Sequence, residues 1–485
     1  MHIVFAASEC VPFAKTGGLA DVVGAVPPEL VKLGHEVTVY LPLYAGVKAH
    51  IAGEWKYAAR SITIPFEYYN RFAGIVDGGK REGVQYYFVD CPELFDRPGL
   101  YGTPAGDYPN NWERFGLFCR AVLEASKLLG VPEVFHVHDW QAALIPVYLR
   151  TTYNSDPLLS RAGVVLTIHN AGYQGWFPPD TTERLLFPWE LFTMDKVEQF
   201  DTFNFLKGGL VYADMLTTVS PKYAQEIQTA EFGEKLDGVL RGRAADLRGI
   251  LNGVDYAEWD PATDVNLAAH YSPSDLQGKR KCRAELLHAF GLEKVADSTP
   301  VLGIVSRFAV QKGFDLVAAI ADQLTQRDVV LVVLGSGEAV YERFFRDWAF
   351  RHPGQVAVRI GYDNALAHKV EAGADMFLMP SRYEPCGLNQ IYSLKYGTAP
   401  VVRATGGLDD TVEELDAERG TGTGFKFAGL NPLALLDVID RALKAFRDKG
   451  AWTKLMRNGM KMNYSWSGPA HEYAEVYAEV VRKRA

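Results

Sequence analysis

The residues best suited to chemistry in this chain sit in a few short stretches, each at the end of an apolar run. The first is 12–23, PFAKTGGLADVV. It follows residues 2–8, which read as a buried strand. Gly17 and Gly18 permit a tight turn, and an apolar helical pattern begins at Leu19. A helix start after such a turn offers N–H groups and a positive dipole end to a phosphate, with Lys15 as a mobile cation beside it. No G-x-x-x-x-G-K-[ST] is present, so this is not a Walker loop. A surface lysine at an ordinary strand–helix turn reads equally well. Farther on, Arg307 closes a second apolar run and Lys312 opens a helical pattern. Two cations in one strand–helix loop can grip a diphosphate, although an isolated pair at this spacing is more often solvated surface charge. The next two run ends carry Glu384-Pro385-Cys386-Gly387, with a helical pattern from Gly387, and Thr405-Gly406-Gly407. Cations, a carboxylate and glycine-led turns at successive strand ends make an anion site the better reading of the set. Asp139-Trp140 and His169-Asn170 end two earlier runs. A histidine there is often a capped structural residue; a position beside a ligand would make it chemical.

Two series of strands must position these residues. The first half has strand-like runs at 36–41, 84–89, 134–138, 164–168 and 215–219, and the second at 301–305, 329–334, 356–360, 376–379 and 399–402, with helical patterns between. Alternation of this kind predicts parallel sheets covered by helices. A length of 485 residues suits two such domains. The boundary is expected near residues 252–255, followed by a polar, irregular stretch at 255–297. The expected architecture is two doubly wound α/β domains facing across a cleft, with ligands at the C-terminal strand ends.

Composition removes several classes of function. A net charge of −9, with no Lys/Arg cluster, leaves no footprint for nucleic acid. No apolar stretch reaches the ~20 residues that span a bilayer. Cys10, Cys91, Cys119, Cys282 and Cys386 form no C-x-x-C pair, which disfavours a zinc site or disulfide framework and favours a reducing compartment. The N-terminus lacks the pattern of a signal peptide, so a cytoplasmic protein is expected. No Asp-x-Asp occurs, so the usual carboxylates for a nucleotide-bound metal are missing. No G-x-G-x-x-G is present either, and a dinucleotide cofactor is not expected.

The motifs KTGGLADV (15–22), HVHDWQAAL (136–144), TIHNAGYQG (167–175), ILNGVD (250–255), SRFAVQKG (306–313), SRYEPCGLNQ (381–390) and TGGLDDTV (405–412) run in one order along nearly the whole chain. Together they resemble bacterial glycogen synthase and plant starch synthase, the ADP-glucose-dependent α-1,4-glucan synthases. The resemblance implies a GT-B fold of two Rossmann-like domains, 1–254 on the acceptor side and 255–464 on the nucleotide-sugar side, with a helix from 465–485 returning to the first. It implies glucosyl transfer from ADP-glucose to the nonreducing 4-OH of a glucan primer, with retention and without metal or cofactor. UDP-glucose as donor, a pyridoxal-dependent phosphorylase and a non-catalytic sugar-nucleotide regulator are the alternatives; an oligomer is possible. By motif, Arg307 and Lys312 hold the diphosphate, with Lys15, Gly18, Thr405 and Gly406 on the same phosphates. Tyr362 stacks on the base, with Asp21 and Asn252 near the nucleotide. Glu384, Cys386, Gly387, Asn252 and His169 line the glucosyl pocket, His169 stabilising the oxocarbenium-like state. Asp139 and Trp140 lie toward the acceptor, with Tyr101 and Asn111 as further acceptor-side candidates.

Overall fold

The computed structural model describes residues 1–51 and 55–485. The chain divides into two compact units, one made of Met1–Val219, Ala224–Gly253 and Trp466–Ala485, the other of Ser220–Tyr223 and Val254–Ser465.

One nine-stranded sheet organises the first unit. Its strands are β1 (His2–Ala6), β2 (Glu36–Pro42), β3 (Lys56–Pro65), β4 (Asn70–Arg81), β5 (Val84–Asp90), β6 (Val134–His138), β7 (Gly163–Ile168), β8 (Met215–Thr218) and β9 (Leu247–Gly249). They lie in the order β9-β8-β7-β6-β1-β2-β5-β4-β3. Pairing is parallel from β9 to β5 and antiparallel across β4 and β3. β6 and β7 are buried along their whole length, as strands covered on both faces must be, and so they read as continuous apolar runs. The hairpin β3–β4 escaped the sequence reading. β3 at the sheet edge exposes most of its residues, so no apolar run marks it.

The helix Ser467–Arg484 belongs to this unit. It buries Ala470, Tyr473, Val476, Tyr477 and Val480. Gly163 makes room for it, because a Cβ there would lie 2.1 Å from Val480 Cγ1. Tyr477 Oη meets His136 Nδ1 at 2.7 Å inside the sheet layer. Lys483 Nζ pairs with Asp246 at 2.7 Å, and Arg484 pairs with Asp214.

The second unit is a six-stranded parallel sheet. Its strands are β10 (Val301–Phe308), β11 (Val330–Gly337), β12 (Val356–Ile360), β13 (Met376–Met379), β14 (Ala399–Arg403) and β15 (Phe425–Phe427), in the order β12-β11-β10-β13-β14-β15. The stretch 255–297 is not the irregular connection its polarity suggests. It contains the helix Gln277–Ala289. Lys279 there is buried, and its ammonium donates to the Ala372 and Tyr396 carbonyls and to Thr398 Oγ1 at 2.8–3.0 Å. Upstream, the Trp259 ring stacks between partners, 3.7 Å from His368 and 3.9 Å from Tyr392. A helix held by a buried lysine carries too little apolar periodicity to be seen in sequence.

Candidate active site

In the first unit the glycine turn is built around a residue the sequence reading missed. Glu9, nearly fully buried, follows β1 and turns its carboxylate into the loop. Oε1 accepts from Thr16 Oγ1 at 2.6 Å and from Tyr101 Oη at 2.6 Å, and Oε2 accepts from the Gly17 amide at 3.1 Å. The Thr16 amide also donates to Oε2. The helix Gly18–Lys32 starts directly after this turn. Lys15 is half exposed and donates to Asp21 at 2.6 Å. The two glycines are not required by the turn itself. Gly17 is extended (φ −155°), and a Cβ on either Gly17 or Gly18 would touch nothing in the protein. Glu9 could have been suspected as the one acid between a buried strand and a glycine pair.

Tyr101 serves this loop from the other side, with Ser8 Oγ at 2.7 Å. Asn111 is buried; it donates to the Tyr101 carbonyl at 2.9 Å and accepts from Arg114 at 2.7 Å. Trp140 is buried among Phe115, Phe177 and Phe205, ring centres 4.9–6.2 Å away. Asp139 takes a left-handed backbone (φ 53°) at the end of β6, which a short polar side chain tolerates best. Its Oδ1 accepts from the His169 amide at 2.7 Å, and burial pushes its carboxyl up to about 7. Half-buried His169 directly follows β7, and burial of its imidazole pushes it down to about 3, so the ring is neutral. Asn252 is buried with its Oδ1 unpartnered among the described residues.

In the second unit the loops after β10, β13 and β14 converge. Arg307 is exposed on β10, level with Ser336 of β11, and its guanidinium engages no partner among the described residues. Lys312 ends a short turn, Val310–Lys312. Gly313 follows with φ 72°, and a Cβ there would lie 2.0 Å from the Pro380 carbonyl oxygen, so only glycine lets this loop close on the strand end of β13. That approach brings Lys312 Nζ to 2.6 Å from Glu384 Oε2, which also accepts from Ser381 Oγ at 3.0 Å. Gly406 does the same for the third loop. Its φ is 45°, and a Cβ would lie 1.9 Å from the Glu384 carbonyl oxygen. The Gly407 amide donates to that oxygen at 3.1 Å. Gln390 ties the loops together, donating to the Cys386 and Gly387 carbonyls at 3.0 Å and to Thr411 Oγ1 at 3.1 Å. Cys386 and Thr405 are buried. Gly387 does not start a helix. It is a left-handed turn residue (φ 71°), and the helix begins at Asn389. Tyr362 stands apart, 75% exposed beyond β12, with Oη donating to Asn364 at 2.7 Å.

The structure therefore joins Lys312, Glu384, Cys386, Gly387 and Gly406 in one unit, and Lys15 with Asp21 and His169 with Asp139 in the other. Residues 2–242 match the family model described as the starch synthase catalytic domain, and 292–454 match glycosyl transferases group 1. A glycogen synthase of Koribacter versatilis is 59% identical over 485 residues, covering 100% of this chain and 99% of its own. Glycogen synthase 1 of Geobacter sulfurreducens is 45% identical, covering 100% and 97%. This chain belongs to the glycogen synthase family. The catalytic domain of starch synthase IV from Arabidopsis thaliana, solved with ADP and acarbose, superimposes with a TM-score of 0.89 at 31% identity over 99% of each chain. The fold of the family member is thus GT-B, and it is a glucosyltransferase of glycogen synthesis. A sucrose-phosphate synthase from Thermosynechococcus elongatus, at 16% identity and TM-score 0.60, shares the fold. Family membership displaces the phosphorylase and non-catalytic readings. Among the described residues no helix is long and apolar enough to cross a membrane, and no group of His, Cys, Asp and Glu could hold a metal ion.

Proposed function

We propose that the family reaction runs here from ADP-glucose, with retention, to the nonreducing 4-OH of an α-1,4-glucan. One observation carries the reading: Lys312 and Glu384 form a 2.6 Å ion pair in the same strand-end cluster as Gly406. The pair is neutral overall. A diphosphate competes with Glu384 for the ammonium, and the carboxylate it displaces is free to accept hydroxyl hydrogens of a sugar. Exposed Arg307 is then the uncompensated cation toward the leaving group. Negative charge grows on the diphosphate as the glycosidic bond breaks, so cations fixed in advance favour the transition state over the ground state. Lys15, Gly18, Thr405 and Gly406 are assigned to the same phosphates, Tyr362 to the base with Asp21 and Asn252, and His169, Asn252, Cys386 and Gly387 to the glucosyl moiety. Asp139 supports His169, and Tyr101, Asn111 and Trp140 shape the acceptor side from behind. Room for a Cβ at Gly17 and Gly18, left unused by the protein, supports close approach of a ligand to this backbone. Adenine as the base is supported by the ADP that the starch synthase IV catalytic domain holds.

A donor panel on a glycogen primer tests this. ADP-glucose should give the higher kcat/KM, and proton NMR should find the new linkage α. A higher value for UDP-glucose would refute the donor, and a β-linkage would refute retention.

A further inference from the structure

The reading of His169 as a sugar-side residue leaves open which ring nitrogen carries its proton. A second histidine decides it. His138, the last residue of β6, is fully buried and lies under His169 with its Nδ1 3.0 Å from His169 Nε2. Its other nitrogen, Nε2, is buried and has no partner among the described residues. Packed around the ring are Phe5 at 5.5 Å, nearly parallel, and His136 at 4.2 Å. His136 cannot serve His138, because both its nitrogens are engaged, with Tyr477 Oη at 2.7 Å and Thr167 Oγ1 at 2.6 Å.

One hydrogen joins two neutral imidazoles, so only two arrangements exist. If His169 Nε2–H donates, His138 must carry its own proton on Nε2, where an N–H would be buried with no acceptor. Orphaned buried N–H groups are rare in folded proteins, because they forfeit a full hydrogen bond to water. If His138 Nδ1–H donates instead, Nε2 is left as a bare lone pair among rings, the cheaper defect. His169 then accepts at Nε2 and carries its proton on Nδ1.

We propose that His138 is a positioning residue that locks His169 in the Nδ1–H tautomer, so that His169 meets its ligand as a hydrogen-bond donor and not as a proton acceptor. Nδ1 of the half-buried ring has no protein partner among the described residues, so it is the edge that can reach a ligand. An oxygen acceptor, such as a sugar hydroxyl or an oxyanion, fits it. A general-base role at that nitrogen does not. Neutral rings are what burial enforces: His138 and His136 are held well below the usual histidine range.

The tautomer is a property of the free protein; only its bearing on turnover rests on the function proposed above. Protein labelled with 15N-histidine, with His169 assigned through H169Q, reads it directly. The expected spectrum has a protonated, pyrrole-type Nδ1 and a pyridine-type Nε2 on His169, in the absence of any sugar nucleotide. A proton on Nε2 overturns the proposal. His138→Asn keeps an amide donor near the position of Nδ1, so the His169 signals and kcat should stay within about threefold of wild type. His138→Leu removes the donor; the His169 signals should shift toward exchange between tautomers and kcat should fall ~10–100-fold, the usual cost of losing an orienting partner. Unchanged His169 signals in folded His138→Leu would also overturn it. Should His138→Leu fail to fold, the wild-type spectrum and His138→Asn still decide. If the tautomer is as stated but H169Q turns over normally, the sugar-side reading of His169 fails and the tautomer assignment stands.

Discussion

At the scale of residues, charge compensation separates groups that motif matching treats alike. Lys312 is neutralised by Glu384 and Arg307 by nothing among the described residues. Arg307→Ala and Lys312→Ala should each lower kcat by about 10²–10³. Lys312→Ala should also lower the Tm, because it strands a buried carboxylate, whereas Arg307→Ala should not. Equal melting temperatures for the two variants would contradict the ion pair. Asp139 offers a pH test with a definite sign. Its folded pKa, pushed up by burial to about 7, lies above the 3.8 usual for an aspartate, so the folded state binds the extra proton between those values. Its neutral form costs nothing at low pH, and the penalty of the buried charge builds as pH rises from about 4 to about 7 and is complete above that. Asp139→Asn keeps an Oδ1 for the His169 amide and removes the charge. Denaturant unfolding should therefore find the variant stabilised relative to wild type at pH 8, with the gap closing by pH 4. A gap independent of pH would disprove the shift. These properties were not legible in sequence. The motifs place Lys312 and Glu384 in the chain 72 residues apart, but nothing in their spacing says that they touch, and Glu9 looks like any strand-end acid until its four donors are seen.

At the scale of elements, the glycines divide into two kinds that a sequence cannot distinguish. Gly313 and Gly406 adopt left-handed backbone and sit where a Cβ would collide with a carbonyl. Gly17 and Gly18 meet neither constraint. Gly406→Ala should push the Glu384 loop away, lowering both Tm and kcat. Gly18→Ala should leave the Tm within ~2 °C of wild type, since the substitution touches nothing and sits at a helix start. Its KM for the donor should rise. A Gly18→Ala protein with an unchanged donor KM would remove this backbone from the phosphate site. The strands β6 and β7 were legible because they are buried along their whole length, and most of the others because their apolar residues run without a break. Strand ends were placed within a residue or two at β2, β5 and β12, while β10 and β11 run on to Phe308 and Gly337. Those extensions pair residues around Arg307 with Ser336, where polar side chains hide the strand. The edge hairpin β3–β4 and the helix Gln277–Ala289 were illegible for the same reason: backbone pairing or a buried lysine holds them, not an apolar stripe.

At the scale of the whole molecule, the proposed site meets the leaving charge with side-chain cations, so on that reading catalysis should not depend on a divalent ion. Activity should survive exhaustive treatment with EDTA; a complete loss restored by Mg²⁺ or Mn²⁺ would overturn this. The helix Ser467–Arg484 makes the chain's end part of its beginning. Tyr477→Phe should destabilise by about 1–3 kcal/mol, the cost of leaving buried His136 Nδ1 unmet, and denaturant midpoints would measure it. That same helix sets a schedule for synthesis. The first unit has every strand once Gly249 is made, yet its closing helix waits until all of Val254–Ser465 has been translated. At ~5–20 residues per second this interval is on the order of ten to forty seconds. Throughout it, the notch at Gly163 lacks Val480 and His136 lacks Tyr477, so an apolar groove on a nascent sheet stays open to solvent. Until that helix is made, the open groove is the kind of surface that a factor sheltering apolar patches of nascent chains would bind.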